Sequence, residues 1–260
     1  MVTGGQAQIA PATVSSSLTV SDLRGALAEG WRDFRAYPAF GLFFGAIYVA
    51  AGIFLYYALV AWGEVAWLIP AAAGFPLLAP FVAVGLYEVS RRREAGLPLN
   101  WSAILFAFRG RGDEQILMVG GIVFVAFSFW IIVAHSIFAI FMAESGLGGE
   151  SLEVFRTPAG MAMLVVGSIV GGLMALAFYA ITVMSLPMLV DREVDFLTAI
   201  IVSLAAMRSN GMVLLVWAVA IAVLLFIAML PAFLGLLVAL PVLGHATWHL
   251  YRRTVGEPAA

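Results

Sequence analysis

The stretch GMVLLVWAVAIAVLLFIAMLPAFLGLLVALPVLGHATWHL, Gly211 to Leu250, holds 40 residues without one aspartate, glutamate, lysine or arginine. As a single helix it would be roughly 60 Å long, about twice the hydrocarbon core of a bilayer. It must fold back on itself, and the fold-back falls near LPAF, Leu230 to Phe233, where Pro231 either ends one helix or opens the next. Two crossings, about 211–230 and 232–250, are expected. Counting them as two rather than one puts the end of this stretch on the same side as its beginning, and that decides the topology of the whole chain.

Working outward, the composition fits only a membrane protein. Of 260 residues, 63% are hydrophobic and 11% charged, too much apolar surface for a water-soluble domain of this length to bury. Further apolar runs of spanning length are expected at about 39–61, 68–87, 116–143 and 159–190. The fold class is therefore all-α, a six-helix transmembrane bundle, forming a single domain over 20–253 between tails at 1–19 and 254–260.

Every basic residue is arginine, 13 in all. With six crossings, Arg24, Arg32, Arg35, Arg91, Arg92, Arg93, Arg109, Arg111, Arg192, Arg208, Arg252 and Arg253 fall on the side of the termini, and Arg156 alone falls opposite. This bias places the N- and C-termini in the cytoplasm. A five-span chain would put Arg252 and Arg253 outside and break the pattern.

Three segments between the spans have helical periodicity. In SDLRGALAEGWRDFRAYP, Leu23, Leu27, Trp31 and Phe34 share a face, with Asp22, Glu29, Arg32 and Asp33 opposite. NWSAILFAFRGR carries Trp101, Ile104, Leu105 and Phe108, and DFLTAIIVSLAAMRSN carries Phe196, Ile200, Leu204 and Met207, at the same spacing. Each reads as an amphipathic helix lying on the cytoplasmic face. Each also precedes a pair of spans, which suggests a threefold repeat of helix plus hairpin, echoed in sequence only by SAI at 102–104 against TAI at 198–200.

The chain has no cysteine, which removes disulfides, thiolate metal ligands and cysteine nucleophiles. Residues 1–19 lack the basic and apolar regions of a signal peptide and are expected to be a disordered cytoplasmic tail, with the first span acting as an uncleaved signal. There is no phosphate loop, no dinucleotide fingerprint between strand and helix, and no H-E-x-x-H. GSIVGG at 167–172 lies inside an apolar run and reads as close helix packing. No nucleic-acid partner is indicated; the partners expected are the lipid bilayer and another membrane protein complex.

LRGALAEGWRDFRAYPAFGLFFGAIYVAAG, SLPMLVDREVDFLTAIIVSLAAMRSN and above all LPVLGHATWHLYRR resemble the bacterial domain-of-unknown-function family 2189 of predicted integral membrane proteins. The resemblance implies residence in the bacterial inner membrane but no established activity. Some members are labelled as similar to cytochrome c oxidase subunit I, a label that asks whether this chain can hold haem or copper.

The histidines answer that question only in part. His135 falls roughly 20 to 28 Å from the cytoplasmic face, His245 about 10 Å from it and His249 at the interface. The three cannot share a metal, and an oxidase subunit I needs several histidines on different helices. His245 and His249 do stack on one helix face, with Glu88 the one further ligand at that depth. A haem or metal bound there is one reading. The other is that His245 contacts a neighbouring helix while Trp248, His249 and Tyr251 form an interfacial belt anchored by Arg252 and Arg253. No cofactor is expected on the second reading.

Two further features compete with these. The second span, IPAAAGFPLLAPFVAVGLYE, is interrupted by Pro70, Gly74, Pro76 and Pro80, as a solute pathway could require, although the spans lack mid-membrane ionisable groups. At the cytoplasmic rim, Arg91, Arg92, Arg93, Asp191 and Arg192 are candidates for a clamp between helices or for contacts to lipid head groups. The function expected is a non-catalytic accessory, scaffold or assembly partner of another membrane complex. A small-solute transporter or channel is the alternative, and a haem- or metal-binding respiratory protein the third reading.

Overall fold

The structure is a computed structural model and describes residues 12–63, 79–107, 113–142 and 152–258. In chain order the elements are β1 (Ala12–Val14), α1 (Val20–Ala36), α2 (Pro38–Ala61), α3 (Ala79–Glu94), α4 (Trp101–Leu105), α5 (Asp113–Met142), a 3-10 turn at Leu152–Arg156, α6 (Pro158–Thr182), α7 (Ser185–Asp191), α8 (Phe196–Met229), α9 (Leu236–Thr254) and β2 (Val255–Pro258). Four segments are long and apolar enough to cross a membrane: Pro38–Ala61, Glu114–Phe141, Pro158–Asp191 and Phe196–Met229. The expected interruptions at Pro70, Gly74 and Pro76 lie outside the described residues.

Helix starts follow local chemistry. Thr19 and Asp22 form a reciprocal capping box at α1, Asn100 caps α4 through Ala103 N at 2.8 Å, Thr157 caps α6 just ahead of Pro158, and Asp195 caps α8 through Thr198 N at 2.8 Å. The expected turn after the fifth span is present: Ala232 and Phe233 both adopt the left-handed conformation, with φ of 50° and 65°, and the chain reverses into α9.

The last helix is the hub. Leu240, Leu243, Ala246, Trp248, Leu250 and Tyr251 of α9 are all buried, and α1, α2, α3 and α8 pack around them. The α1 and α2 helices follow one another down α9 in the antiparallel sense. Gly30 faces Val242 and Ala246, Gly41 faces Pro241, Gly45 faces Leu236 and Leu237, and Gly52 faces Phe233. These glycines let the backbones approach where a larger residue would hold them apart.

Several expectations are corrected. The buried face of α1 is Leu23, Ala26, Gly30, Asp33 and Phe34, whereas Trp31 is exposed, so the face assigned from periodicity is rotated. The reason is that α1 packs on a protein helix rather than lying against lipid alone; small Gly30 and a satisfied carboxylate serve a helix contact better than the bulk of Trp31. The second amphipathic segment shortens to α4, in which Trp101 packs against Phe40 and Phe43 of α2 with ring centroids 4.4 and 5.3 Å away. The third is continuous with the fifth span, as α8 runs from Phe196 to Met229 with its one non-helical residue at Asn210. There the Asn210 side chain accepts from Leu18 N at 3.2 Å and donates to Ser15 O at 2.6 Å.

The fourth span also breaks, at Val183–Met184, before the fully buried α7. Ser203 of α8 fills that break, accepting from Met184 N at 3.2 Å and donating to Ala180 O at 2.7 Å. Finally, the tail expected to be disordered is ordered from Ala12 onward. The β1 strand pairs antiparallel with β2, and Ser15 N donates to Thr254 O at 2.8 Å.

Candidate functional site

Three helices each present a stacked pair of polar side chains to one point: Glu29 and Asp33 from α1, Ser90 and Arg93 from α3, His245 and His249 from α9. Spacings of three and four residues put each pair on one helix face. Asp33 is the centre. Its Oδ2 accepts from Ser90 Oγ at 2.6 Å and contacts His249 Nε2 at 2.8 Å, while its Oδ1 pairs with Arg93 Nη1. His249 Nδ1 lies 3.6 Å from Glu29 Oε2, and Arg253 Nη2 donates to that same oxygen at 2.9 Å.

Ser90 continues the chain inward to His245 Nδ1 at 2.8 Å. A serine hydroxyl has one proton, and at Ser90 it goes to the carboxylate, so Ser90 accepts from His245 and the imidazole carries its proton on Nδ1. Nε2 of His245 is then a buried nitrogen without a hydrogen-bond partner. His245 is fully enclosed. The polar contact expected of it therefore runs to Ser90 of α3, and through Ser90 to Asp33 of α1.

Glu88 is not turned toward the histidines. It accepts from Arg91 Nε and Nη2, both at 2.7 Å, and from Arg92 Nε at 2.6 Å; Arg92 also donates to Pro98 O at 2.9 Å. The pairing holds the Arg91 guanidinium above its ordinary range, since the Glu88 carboxylate outweighs the effect of burial. Asp191 accepts from Tyr251 Oη at 2.8 Å and Arg252 Nη1 at 3.2 Å, with Arg192 Nε at 3.4 Å, and Arg192 reaches on to Gly256 O at 2.9 Å. Among the described residues no three histidine, aspartate or glutamate side chains converge as a metal site.

The proposed belt is corrected too. Trp248 and Tyr251 are completely buried, not exposed at an interface, because Glu94 and Asp191 supply acceptors for their polar edges; Trp248 Nε1 donates to Glu94 Oε2 at 3.1 Å. Aromatic residues with a polar edge are buried readily when that edge is paired. Sequence reasoning missed Asp33, Ser90, Glu29 and Glu94 as partners of the GHATWH stretch. The one available signal was Asp33 four residues after Glu29, beside Gly30.

Between these groups lies a cavity of about 430 Å³, bounded by Glu29, Arg32, Asp33, Ser90, Arg93, Glu94, His249, Arg252 and Arg253. Its floor is the Asp33 centre, and Arg32, Arg252 and Glu94 stand at its more exposed rim.

Burial alone would raise the Asp33 pKa, but the hydrogen bonds from His249 and Ser90 outweigh it and hold the carboxyl below its ordinary 3.8. A folded-state pKa below the unfolded one means stability that is present above the unfolded value and lost as pH falls through the folded one. Acid titration of thermal stability below pH 4 should therefore show a loss that is smaller in Asp33→Asn than in the wild type. Equal acid sensitivity in both would exclude Asp33 as a contributor.

The sequence stretches that carry the resemblance fall mostly outside the matched region: GHATWH lies beyond it, and only Ser185–Asp191 of the second stretch lies within. No curated protein and no solved structure matches this chain. Residues 67–191 match the family described as predicted integral membrane protein, DUF2189.

Proposed function

We propose that the chain crosses the membrane six times with both termini in the cytoplasm, and that it acts as a non-catalytic accessory or assembly scaffold for another membrane complex. The topology is supported by the arginine distribution, by the pairing of β1 with β2 at one end of the bundle, and by Gln115 Oε1 at the start of α5 accepting from Phe196 N at the start of α8 at 2.9 Å. On this reading the hairpin of α8 and α9 supplies the last two crossings, and the polar centre faces the cytoplasm.

The scaffold reading rests on one contrast. At the polar end, the buried carboxylates Asp33 and Glu88 are tied to arginine and to neighbouring helices, which fixes α1, α3 and α9 as one platform. Away from it, the α5–α6 hairpin turns apolar side chains outward: of the most apolar window in Pro158–Asp191 only 6% is buried. Phe124, Phe129, Ile140, Ile169 and Leu173 are all exposed on this hairpin. A rigid anchor joined to a broad apolar flank suits docking against other spans, which in a membrane proceeds through packing rather than through burial from water.

Photo-crosslinkers placed at Phe129 and Leu173 test this in native membranes. Discrete protein adducts that recur across preparations are expected, with the same partner retained on purification in mild detergent. Lipid adducts alone, together with solute flux by the purified chain in liposomes, would replace the scaffold by a transporter. A Soret band in the purified protein would replace it by a haem protein.

A further inference from the structure

The cavity above the Asp33 centre has a use that helix clamping does not explain, and the inference does not depend on the scaffold reading. Its lining holds four arginines against three carboxylates, with His249 at the floor. Arg93 and Arg253 are positioned by the network, on Asp33 and on Glu29. Arg32 and Arg252 are different. Arg32 donates through Nε to Ala28 O at 3.4 Å, and its nearest carboxylate oxygen, on Glu29, is 3.8 Å away, beyond hydrogen-bond distance. Arg252 gives Nη1 to Asp191 at 3.2 Å and has Nε 3.4 Å from Glu94. A guanidinium has five N–H groups in a planar fork, so both rim arginines keep donors directed at whatever enters the cavity. By contrast Arg91 and Arg92, the obvious anion readers in the sequence, are engaged with Glu88.

Depth supplies a second, independent observation. Trp31, beside Arg32, is exposed, as are Tyr37 and the Trp101 that packs on the first turns of α2. Exposed tryptophan and tyrosine at the end of an apolar span mark the head-group layer. The mouth of the cavity therefore opens at the level of the phosphates of one leaflet, and its volume is in the range of sites that hold small ligands. Arginine forks match phosphate oxygens two at a time.

We propose that this cavity binds a phosphate group, held by Arg32 and Arg252 at the rim with Arg93 beneath them. The same chemistry is offered by a phospholipid head group of that leaflet and by a soluble phosphate compound, and the experiment separates the two.

The full chain is purified, delipidated and titrated with dioleoyl-phosphatidylglycerol by native mass spectrometry. In parallel its melting is followed in sodium phosphate against sodium chloride of equal ionic strength. The test variant is Arg32→Gln with Arg252→Gln. The control, Arg24→Gln with Arg35→Gln, removes the same charge from exposed positions of α1 that do not line the cavity. Size-exclusion profiles establish that both variants are folded; Arg252→Gln alone and Arg32→Gln alone stand in if the double variant is not.

Loss of bound lipid by about tenfold or more in the test variant, with wild-type binding in the control, is expected if the ligand is a lipid head group; tenfold is about 1.4 kcal/mol, within reach of one charge-assisted hydrogen bond. Protection by inorganic phosphate that vanishes in the test variant alone assigns the site to a soluble phosphate compound. Equal losses in test and control would show unspecific charge attraction and overturn the proposal. Failure of both lipid and phosphate to distinguish wild type from the test variant would overturn it as well.

Discussion

Asp33→Ala is expected to remove most of the folded protein from the membrane. One carboxylate, almost wholly enclosed, answers Ser90, His249 and Arg93, and through Ser90 it orients His245. Taking it away leaves a hydroxyl, two imidazoles and a guanidinium without their acceptor between three helices. Breaking a buried charged network by deleting one partner costs about 3 to 5 kcal/mol, because the remaining groups stay desolvated and unpaired. The Arg93 share is the smallest part of this, since its side chain is about a third exposed and water can replace the lost partner. Asp33→Asn should lie between, keeping the volume and one acceptor oxygen. Asp195→Ala is the useful comparison: it removes an exposed helix cap that accepts from Thr198 N, worth about 1 kcal/mol. Fluorescence-detected size exclusion after a temperature series ranks the three. Wild-type melting in Asp33→Ala would mean that the polar centre does not hold the fold.

The contrast between what periodicity reveals and what it hides follows from the solvent. In a bilayer, apolar length identifies a span, and α2 and α5 were legible for that reason. Apolar character does not say whether a face meets lipid or protein, because both are apolar. The helix at the centre of the bundle, α9, is consequently the one that carries histidines, Thr247 and paired arginines, while Phe54, Ile140 and Met212 on other spans are exposed.

The polar centre was hidden for a related reason. A charged residue on an amphipathic helix is assigned to water by default, yet Asp33 is buried because its partners arrive from positions 57, 60 and 216 residues away in the chain. No local pattern carries that information. GHATWH was legible as a stacked histidine pair, and its partners were not: His245 needs Ser90, Trp248 needs Glu94, and Tyr251 needs Asp191. The arginine run at 91–93 divides likewise. Two members close on their own helix at Glu88, a spacing of three and four that sequence allows one to expect, and the third crosses to another helix.

Gly30→Ala, the addition of one methyl group, is expected to be among the most disruptive small changes in the chain. A Cβ built at Gly30 would lie 2.5 Å from Ala246 N and 2.6 Å from Val242 O, with Ala246 Cα at 2.9 Å. All three are backbone atoms of α9, so no rotamer change relieves the contact and α1 must move away from α9. Overpacking of this kind costs about 1 to 3 kcal/mol where side chains can yield, and here the upper end is expected because the displacement also pulls Asp33, less than one turn further along, from His249. Gly172→Ala in α6 is the opposite case: nothing lies within 4 Å of the added carbon, and alanine favours the helix by up to about 1 kcal/mol. Gly25→Ala falls between, since it meets the flexible end of Arg253. The sharper test is the second-site variant Ala246→Gly in the Gly30→Ala background. It removes a side chain from the facing position but none of the three clashing atoms, so no recovery of melting temperature is expected; full recovery would show that α1 and α9 are not held at backbone contact here.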